Sequence, residues 1–157
     1  MGNTYTQLHF QTVFAVQNRI SLINPKWEED LYKYITGIIK DFDHKPLFIN
    51  GMPDHLHVVF GMRPYQSLSN LMENIKSGSS KWINDQRLIK GKFRWQDGFG
   101  AFSYSKSQLP AVINYVKNQK RHHQKKTFLE EYVEMLEKAE VEFNPKYLFH
   151  DPYSLDK

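Results

Sequence analysis

Alternating and helical patterns of hydrophobic residues divide the chain into a series of predicted strands and helices. Residues 5–16 alternate between apolar and polar and are rich in Thr, Val and Phe, which predicts a first strand. From Trp27 to about Asp41 the apolar residues recur every three or four positions, which is typical of a helix with one buried face. The same criteria predict a strand at 47–50, a turn at 51–54, a strand at 55–62, a helix at 67–84 interrupted at Gly78, and one or two short strands within 93–104.

The last third of the chain is predicted to be mainly helical. Helical spacing runs over about 107–124, and Thr127 with Glu130 forms the capping box that opens a further helix to about residue 140. The tail beyond it, with Pro145 and Pro152, is expected to be extended.

The predicted order of elements, β-α-β-β-α-β with helices appended, is that of the ferredoxin-like split-βαβ fold. This is an α+β class in which helices back one face of an antiparallel sheet. We expect residues 1–157 to form a single domain, with a core over about 5–126 and a C-terminal helix and tail over about 127–157.

The composition excludes several kinds of functional site. No cysteine is present among the 157 residues, so disulfides, thiol nucleophiles and cysteine-ligated metals are excluded. Any metal would bind His, carboxylate or amide groups, and His with oxygen ligands suits Mg²⁺ or Mn²⁺. A net charge of +4 permits a polyanionic partner such as nucleic acid. Because we find no signal-peptide pattern and no run of about 18 apolar residues, we expect a cytoplasmic protein with no membrane partner.

The segment His55-Leu56-His57 carries the first candidate site. Residues two apart on a strand share a face, so both imidazoles are expected to point the same way while Leu56 points into the core. Two histidines on one strand form half of a metal site and need a third ligand. The alternative is a half-exposed strand that carries two histidines by chance, since the chain contains 7 of them.

The helix predicted at 107–124 contains a candidate nucleophile and a candidate third ligand. Tyr115 and Gln119 are four residues apart and therefore share a helix face. Tyr115 offers a hydroxyl nucleophile, and Gln119 offers an amide oxygen to a metal. The alternative is that Tyr115, one of 9 tyrosines, packs beside the helix core with its hydroxyl at the rim.

Positive charge is concentrated just after this pair. Seven basic or histidine side chains lie within ten residues: Lys117, Lys120, Arg121, His122, His123, Lys125 and Lys126. The five lysines and arginines predict contacts with DNA phosphates. The alternative is a solvated helix end whose cations suit the helix dipole.

A second polar group around Gly78 either contacts phosphates or is ordinary surface, and it consists of Ser77, Ser79, Ser80 and Lys81.

Three segments together resemble the single-tyrosine HUH-type transposases of small bacterial insertion sequences and their domesticated, repeat-associated relatives. Met52-Pro53-Asp54-His55-Leu56-His57 is similar to the metal-binding strand of that family. Tyr115-Val116-Lys117-Asn118-Gln119, followed by His122-His123, is similar to its catalytic helix. The stretch from Trp95 to Phe102 is similar to the segment that precedes this helix in many members. The motifs occur in the family's order and on the expected types of element.

The resemblance implies a reaction and a set of partners. Such proteins cut single-stranded DNA near an imperfect hairpin and rejoin it without an external energy source. Tyr115 would attack a backbone phosphate, leaving a 5′-phosphotyrosine and a free 3′-OH, and Tyr115→Phe is expected to change stability little. His55, His57 and Gln119 would together hold one Mg²⁺ or Mn²⁺. The resemblance further implies a homodimer in which the tyrosine helix of one subunit completes the metal site of the other.

Alternative functions are left open by the sequence. A domesticated relative would act as a single-strand endonuclease by the same chemistry. A non-catalytic nucleic-acid-binding module would share the fold, although the aromatic segment 97–104 matches the RNA-recognition motif poorly. An unrelated metal-dependent hydrolase would need a carboxylate ligand, and Asp54 is expected on the opposite strand face from the histidines. No phosphate-binding loop of the G-x-x-x-x-G-K-[ST] type occurs, which fits an energy-neutral transesterification.

Overall fold

The computed structural model describes residues 2–148, and within this range it contains four strands and five α-helices. The strands are β1 (His9–Ala15), β2 (Lys45–Met52), β3 (His55–Gly61) and β4 (Gly100–Tyr104). The helices are α1 (Glu28–Asp41), α2 (Leu68–Asp85), α3 (Leu109–Lys117), α4 (Gln119–His122) and α5 (Phe128–Lys138). The first strand begins later than the predicted residue 5, and Pro152 of the predicted extended tail lies outside the described residues.

The four strands form one antiparallel sheet in the order β2-β3-β1-β4. With α1 between β1 and β2 and α2 between β3 and β4, this is the ferredoxin-like arrangement, and the predicted α+β class is confirmed. The two central strands are β1 and β3, where Val13 lies opposite His57 and Ala15 lies opposite His55. The histidines therefore lie on an inner strand of the sheet.

One face of the sheet packs against α1 and α2. Side chains that β1 and β3 place on this face, such as Phe14, Leu56 and Phe60, are fully buried in the main hydrophobic core. Helix α2 continues through Gly78, where the sequence pattern predicted an interruption. A Cβ atom at Gly78 would lie 3.0 Å from Ile38 Cδ1, so the glycine lets α1 and α2 approach closely without ending the helix.

The opposite face of the sheet is covered by the helices that follow β4. Val59 packs with Val112 and Val116 of α3, and Val13 belongs to a cluster with Phe128 of α5. Helices therefore back both faces of the sheet, and the prediction of one covered face was incomplete. The consequence for function is that α3, α4 and α5 enclose the face on which the histidines lie.

The C-terminal helices differ from the prediction mainly at one residue. The helix predicted over 107–124 is divided, because Asn118 leaves helical geometry (φ −97°, ψ 21°) between α3 and α4. The capping box at the start of α5 is present: the Thr127 hydroxyl accepts from the Glu130 backbone N–H at 3.2 Å. Among residues 2–148, no helix combines the length and apolar character needed to cross a bilayer.

Candidate metal centre and nucleophile

His55 and His57 lie side by side on β3, on the face that α3 and α5 cover. Both side chains are fully buried, and their ring centroids are 5.2 Å apart, whereas Leu56 belongs to the core on the other face. The ring of Phe128 stacks on His55 with a centroid distance of 3.8 Å and excludes water from that side. The shared face predicted from the sequence is present, and the pair is buried rather than half-exposed.

An acceptor holds the Nδ1 atom of each imidazole. His55 Nδ1 donates to Asp54 Oδ1 at 2.7 Å, so Asp54 contacts the histidine that it was predicted to point away from. His57 Nδ1 donates to Gln11 Oε1 at 2.6 Å, and Gln11 donates its amide to the Tyr104 hydroxyl at 3.0 Å, which fixes its orientation. A neutral imidazole has one donor and one acceptor nitrogen. Both Nε2 atoms are therefore free to present lone pairs to the same space.

A carboxylate that the sequence reasoning missed lies at the centre of the site. Glu131 of α5 is almost fully buried, and its Oε1 lies 3.1 Å from His57 Nε2 and 3.6 Å from His55 Nε2. Ligand atoms of these three residues all lie within 4.8 Å of one another, so the group can hold a divalent cation. A signal was present in the sequence, since Glu131 interrupts the apolar stripe formed by Phe128 and Tyr132.

Gln119 joins this group from the start of α4. Its amide nitrogen donates to Glu131 Oε2 at 2.9 Å, and this hydrogen bond turns its Oε1 toward His55 Nε2 at 3.2 Å. The Gln119 side chain is fully buried. The amide oxygen, rather than the amide nitrogen, therefore faces the imidazoles, which is the orientation that a metal ligand requires.

Tyr115 contacts the same carboxylate from α3. Its hydroxyl donates a hydrogen bond to Glu131 Oε2, and its ring stacks on His122 with centroids 4.6 Å apart. Burial raises the pKa of Tyr115 well above its ordinary value, and the neighbouring carboxylate adds to this effect. The phenol is thus neutral in this arrangement. The Glu131 carboxylate lies between its oxygen and the two histidines.

The buried imidazoles and the carboxylate of this site shift one another's pKa values. Burial lowers the pKa of His57 to about 4, so this ring is neutral at pH 7. Burial also acts to lower the pKa of His55, but hydrogen bonds to Asp54 and Glu131 raise it above the ordinary value. For Glu131, burial acts to raise the pKa, yet the surrounding imidazoles hold it far below the usual range. Hydrogen bonds from the imidazoles therefore favour the ionised form of the buried carboxylate.

Two of the cations that were predicted to contact DNA are engaged within the fold. Lys120 pairs with Glu28 at 3.1 Å and donates to the Gly51 carbonyl oxygen at 3.2 Å, so it links α4 to α1 and β2. Lys126 pairs with Glu134 of α5. These two lysines have structural partners, which a count of charges along the chain does not reveal.

The other three predicted cations, Lys117, Arg121 and Lys125, are exposed and form no ion pair with any residue of the described range. The loop between α2 and β4 carries four more exposed cations that likewise form no ion pair there: Arg87, Lys90, Lys92 and Arg94. Unpaired positive charge is therefore present in two places, and the sequence reasoning identified one of them.

The serine group around Gly78 divides into a structural and a surface part. Ser79 is fully buried, donates to the Ile75 carbonyl oxygen at 2.6 Å and accepts from the Trp95 indole at 2.9 Å. It therefore fixes the helix against the segment before β4 and does not contact phosphates. The remaining members line an open groove between α2 and residues 92–99, namely Ser77, Ser80 and Lys81.

Comparison with known proteins gives a family and a fold. The family model described as "Transposase IS200 like" matches residues 4–119, a range that includes both strand histidines, Tyr115 and Gln119. It ends before His123 and Glu131. Among proteins with curated descriptions, none matches this chain.

Two solved structures are similar to this chain. One is from Deinococcus radiodurans R1 and is described as a candidate transposase; it is 18% identical, covers 76% of this chain and 96% of its own, and has a TM-score of 0.61. The other is described as a REP-associated tyrosine transposase bound to a REP hairpin. It is 15% identical, covers 75% of this chain and 70% of its own, and has a TM-score of 0.56. At these identities the likeness establishes the shared fold.

Proposed function

The chain belongs to the IS200-like transposase family, and we propose that it cleaves and rejoins single-stranded DNA in the cytoplasm through a covalent intermediate on Tyr115. The observation that carries this proposal is the meeting of the Tyr115 hydroxyl, the Gln119 amide and the two β3 histidines around the carboxylate of Glu131. A nucleophile and a cation site that share one buried group are what a phosphoryl-transfer centre requires.

The donor atoms fit a hard divalent cation. In neutral imidazoles whose Nδ1 atoms donate outward, the Nε2 atoms of His55 and His57 are acceptors, as are Gln119 Oε1 and Glu131 Oε1. Acceptors this close together repel one another unless a cation lies between them. We propose that His55, His57 and Gln119 hold Mg²⁺ or Mn²⁺. When bound, the ion would neutralise charge on the scissile phosphate.

In the proposed reaction the Tyr115 oxygen forms a bond to phosphorus and the bond from phosphorus to the 3′-oxygen breaks. The phenol loses one proton and the departing 3′-oxygen gains one, so the step is balanced in protons. One phosphodiester is exchanged for another, and the 5′-phosphotyrosine keeps the free energy needed for resealing. This explains why the chain needs no nucleotide-binding loop.

The substrate proposed for this site is single-stranded DNA that carries a hairpin. The related structure bound to a REP hairpin supports this choice, as do the exposed, unpaired cations Lys117, Arg121 and Lys125. We propose that Lys120 and Lys126 add to the local field while keeping their partners in the fold.

We also propose a homodimer. Within one chain, Tyr115 already meets the histidines of the same chain. Exchange of α3 and α4 between two subunits would rebuild the same contacts in trans.

The direct test is to incubate the protein with hairpin-bearing single-stranded DNA and Mn²⁺ and to look for a protein–DNA adduct that survives SDS. We expect the adduct in the wild type and none after His55→Ala or His57→Ala. A non-catalytic binding module would bind DNA without an adduct. A domesticated endonuclease would form the adduct and release a free 3′-OH strand but would not join two element ends, so a strand-joining assay separates it from a mobile-element transposase.

A further inference from the structure

His123 is a third imidazole directed at the Glu131 carboxylate, which His55 and His57 also contact. It lies one helical turn after Gln119, and its side chain is largely buried. Its Nδ1 donates to the Lys126 carbonyl oxygen at 2.9 Å, and because a carbonyl can only accept, Nε2 of the neutral ring keeps its lone pair. That Nε2 lies 3.1 Å from Gln119 Oε1 and 3.1 Å from Glu131 Oε1. His123 is thus held in the same way as the two strand histidines.

We propose that His123 and Glu131 are two further protein ligands of the metal and that Glu131 also positions the Tyr115 hydroxyl. This rests on the metal-dependent function proposed above and adds residues that follow the part of the chain matched by the family. The site then has five protein donors, contributed by β3, by α4 with the loop after it, and by α5.

The spacing of the donor atoms supports the larger ligand set. Neighbouring ligands of an octahedral Mg²⁺, each about 2.1 Å from the ion, lie about 3.0 Å apart. The contacts that His123 Nε2 makes with Gln119 Oε1 and Glu131 Oε1 are both 3.1 Å, like the 3.1 Å between His57 Nε2 and Glu131 Oε1. The contacts of His55 are slightly longer, at 3.2 Å to Gln119 and 3.6 Å to Glu131. Each of these contacts is near the spacing of adjacent ligands. Ligand atoms of His55, His57 and Glu131 all lie within 4.8 Å of one another, and His123 joins this group through its contacts with Glu131 and Gln119.

Glu131 connects this coordination sphere to the nucleophile. Its Oε1 faces the imidazoles, while its Oε2 accepts hydrogen bonds from Tyr115 and from Gln119. One carboxylate therefore sets both the position of the phenol oxygen and the orientation of the Gln119 amide. Its role toward Tyr115 is positioning, since it acts through the tyrosine hydroxyl and not on the DNA.

The first experiment measures metal binding directly, without DNA. Mn²⁺ is titrated into wild-type protein, His123→Ala and Glu131→Gln, and the free ion is followed by EPR. We expect each variant to bind Mn²⁺ at least about tenfold more weakly than wild type. His9→Ala, at the opposite end of β1 from the site, is the matched control and should bind as wild type does. Pulsed EPR of the bound ion should detect three ligating imidazoles in the wild type and two in His123→Ala.

The positioning role is tested with Mn²⁺ at saturation. Glu131→Gln keeps an oxygen that can accept from Tyr115, whereas Glu131→Ala removes it. We therefore expect the rate of adduct formation to fall further in Glu131→Ala than in Glu131→Gln, by about tenfold or more. Circular dichroism establishes that each variant is folded, and His123→Asn replaces His123→Ala if the latter is not.

Two results would overturn the inference. If His123→Ala and Glu131→Gln bind Mn²⁺ as tightly as wild type while His55→Ala does not, the metal has only the three ligands of the proposed function. If Glu131→Ala forms the adduct as fast as or faster than wild type, the carboxylate obstructs the site instead of completing it. Neither result affects the proposed function, which fails separately if wild-type protein forms no adduct.

Discussion

Tyr115→Phe removes one oxygen from the centre of the site and leaves the ring in place. The ring keeps its stacking on His122 and its edge contact with His57, whose centroid is 6.1 Å away. What is lost is the hydrogen bond to Glu131. We expect no covalent adduct from this variant, because no other hydroxyl among the described residues donates to that carboxylate.

The effect on stability follows from the same contact and differs from the sequence expectation of little change. A hydrogen bond to a charged group contributes about 1.5–3 kcal/mol, and half-burial of Tyr115 with a remaining Gln119 donor on Glu131 favours the lower end, about 1.5–2 kcal/mol. For a domain of this size each kcal/mol shifts Tm by about 2–4 °C, so Tm should fall by about 3–8 °C.

The assay combines SDS gels of protein incubated with hairpin DNA and Mn²⁺ with thermal denaturation by circular dichroism. Tyr34→Phe is the control, because Tyr34 stacks on Trp82 between α1 and α2, on the far side of the sheet. This control should form the adduct at the wild-type rate. The mechanism is refuted if Tyr115→Phe still forms an adduct and peptide mapping places it on another tyrosine. An unchanged Tm would refute the hydrogen bond to Glu131.

The remaining predictions concern the metal, the charges and the packing. Since the pKa of His55 is raised, a metal must displace the proton of this ring when it binds. The affinity for Mn²⁺ should therefore fall about tenfold per pH unit below that pKa, and calorimetry in two buffers should detect the released proton. An affinity that is independent of pH would contradict this. Lys120→Ala should cost about 0–1 kcal/mol, because the ion pair is half-exposed, and should change the salt dependence of DNA binding less than the loss of an unpaired cation does. Replacing Arg121 and Lys125 together by Ala should reduce the slope of log affinity against log salt concentration by about 1.4, or about 0.7 per lost phosphate contact. An equal slope in this double variant and in Lys120→Ala would exclude phosphate contacts by Arg121 and Lys125. Gly100→Ala should destabilise the protein by about 1–3 kcal/mol, because the new Cβ would lie 2.5 Å from the hydroxyl oxygen of Tyr132 in α5. Urea denaturation measures this loss.

The ferredoxin-like core was predictable because its information is local. Strand and helix periods differ, so the alternation over 5–16 and the three-to-four spacing over 27–41 separate β1 from α1 without any tertiary knowledge. The order of these elements then restricts the topology to few choices. The division of the predicted third helix at Asn118 was not predictable in this way, because residues on both sides of it keep helical spacing.

The surroundings of the charged residues could not be predicted from their positions in the chain. Lys120 and Arg121 are adjacent, yet the first pairs with Glu28, more than ninety residues earlier, while the second is exposed and forms no ion pair in the described range. A charge run indicates that a polyanion could be attracted. Which of its members are available depends on contacts that only the folded chain brings together.

The same reasoning explains why the candidate site was found in part. His55, His57, Tyr115 and Gln119 lie within the range matched by the family, and each belongs to a short motif that can be compared residue by residue. Glu131 follows that range, is 74 residues from His57, and reaches it only because α5 packs over the sheet through Phe128. Its carboxylate nevertheless contacts every one of the four motif residues. A transfer of family motifs therefore identifies the reacting groups, whereas the group that holds them together must be sought among buried polar residues outside the match.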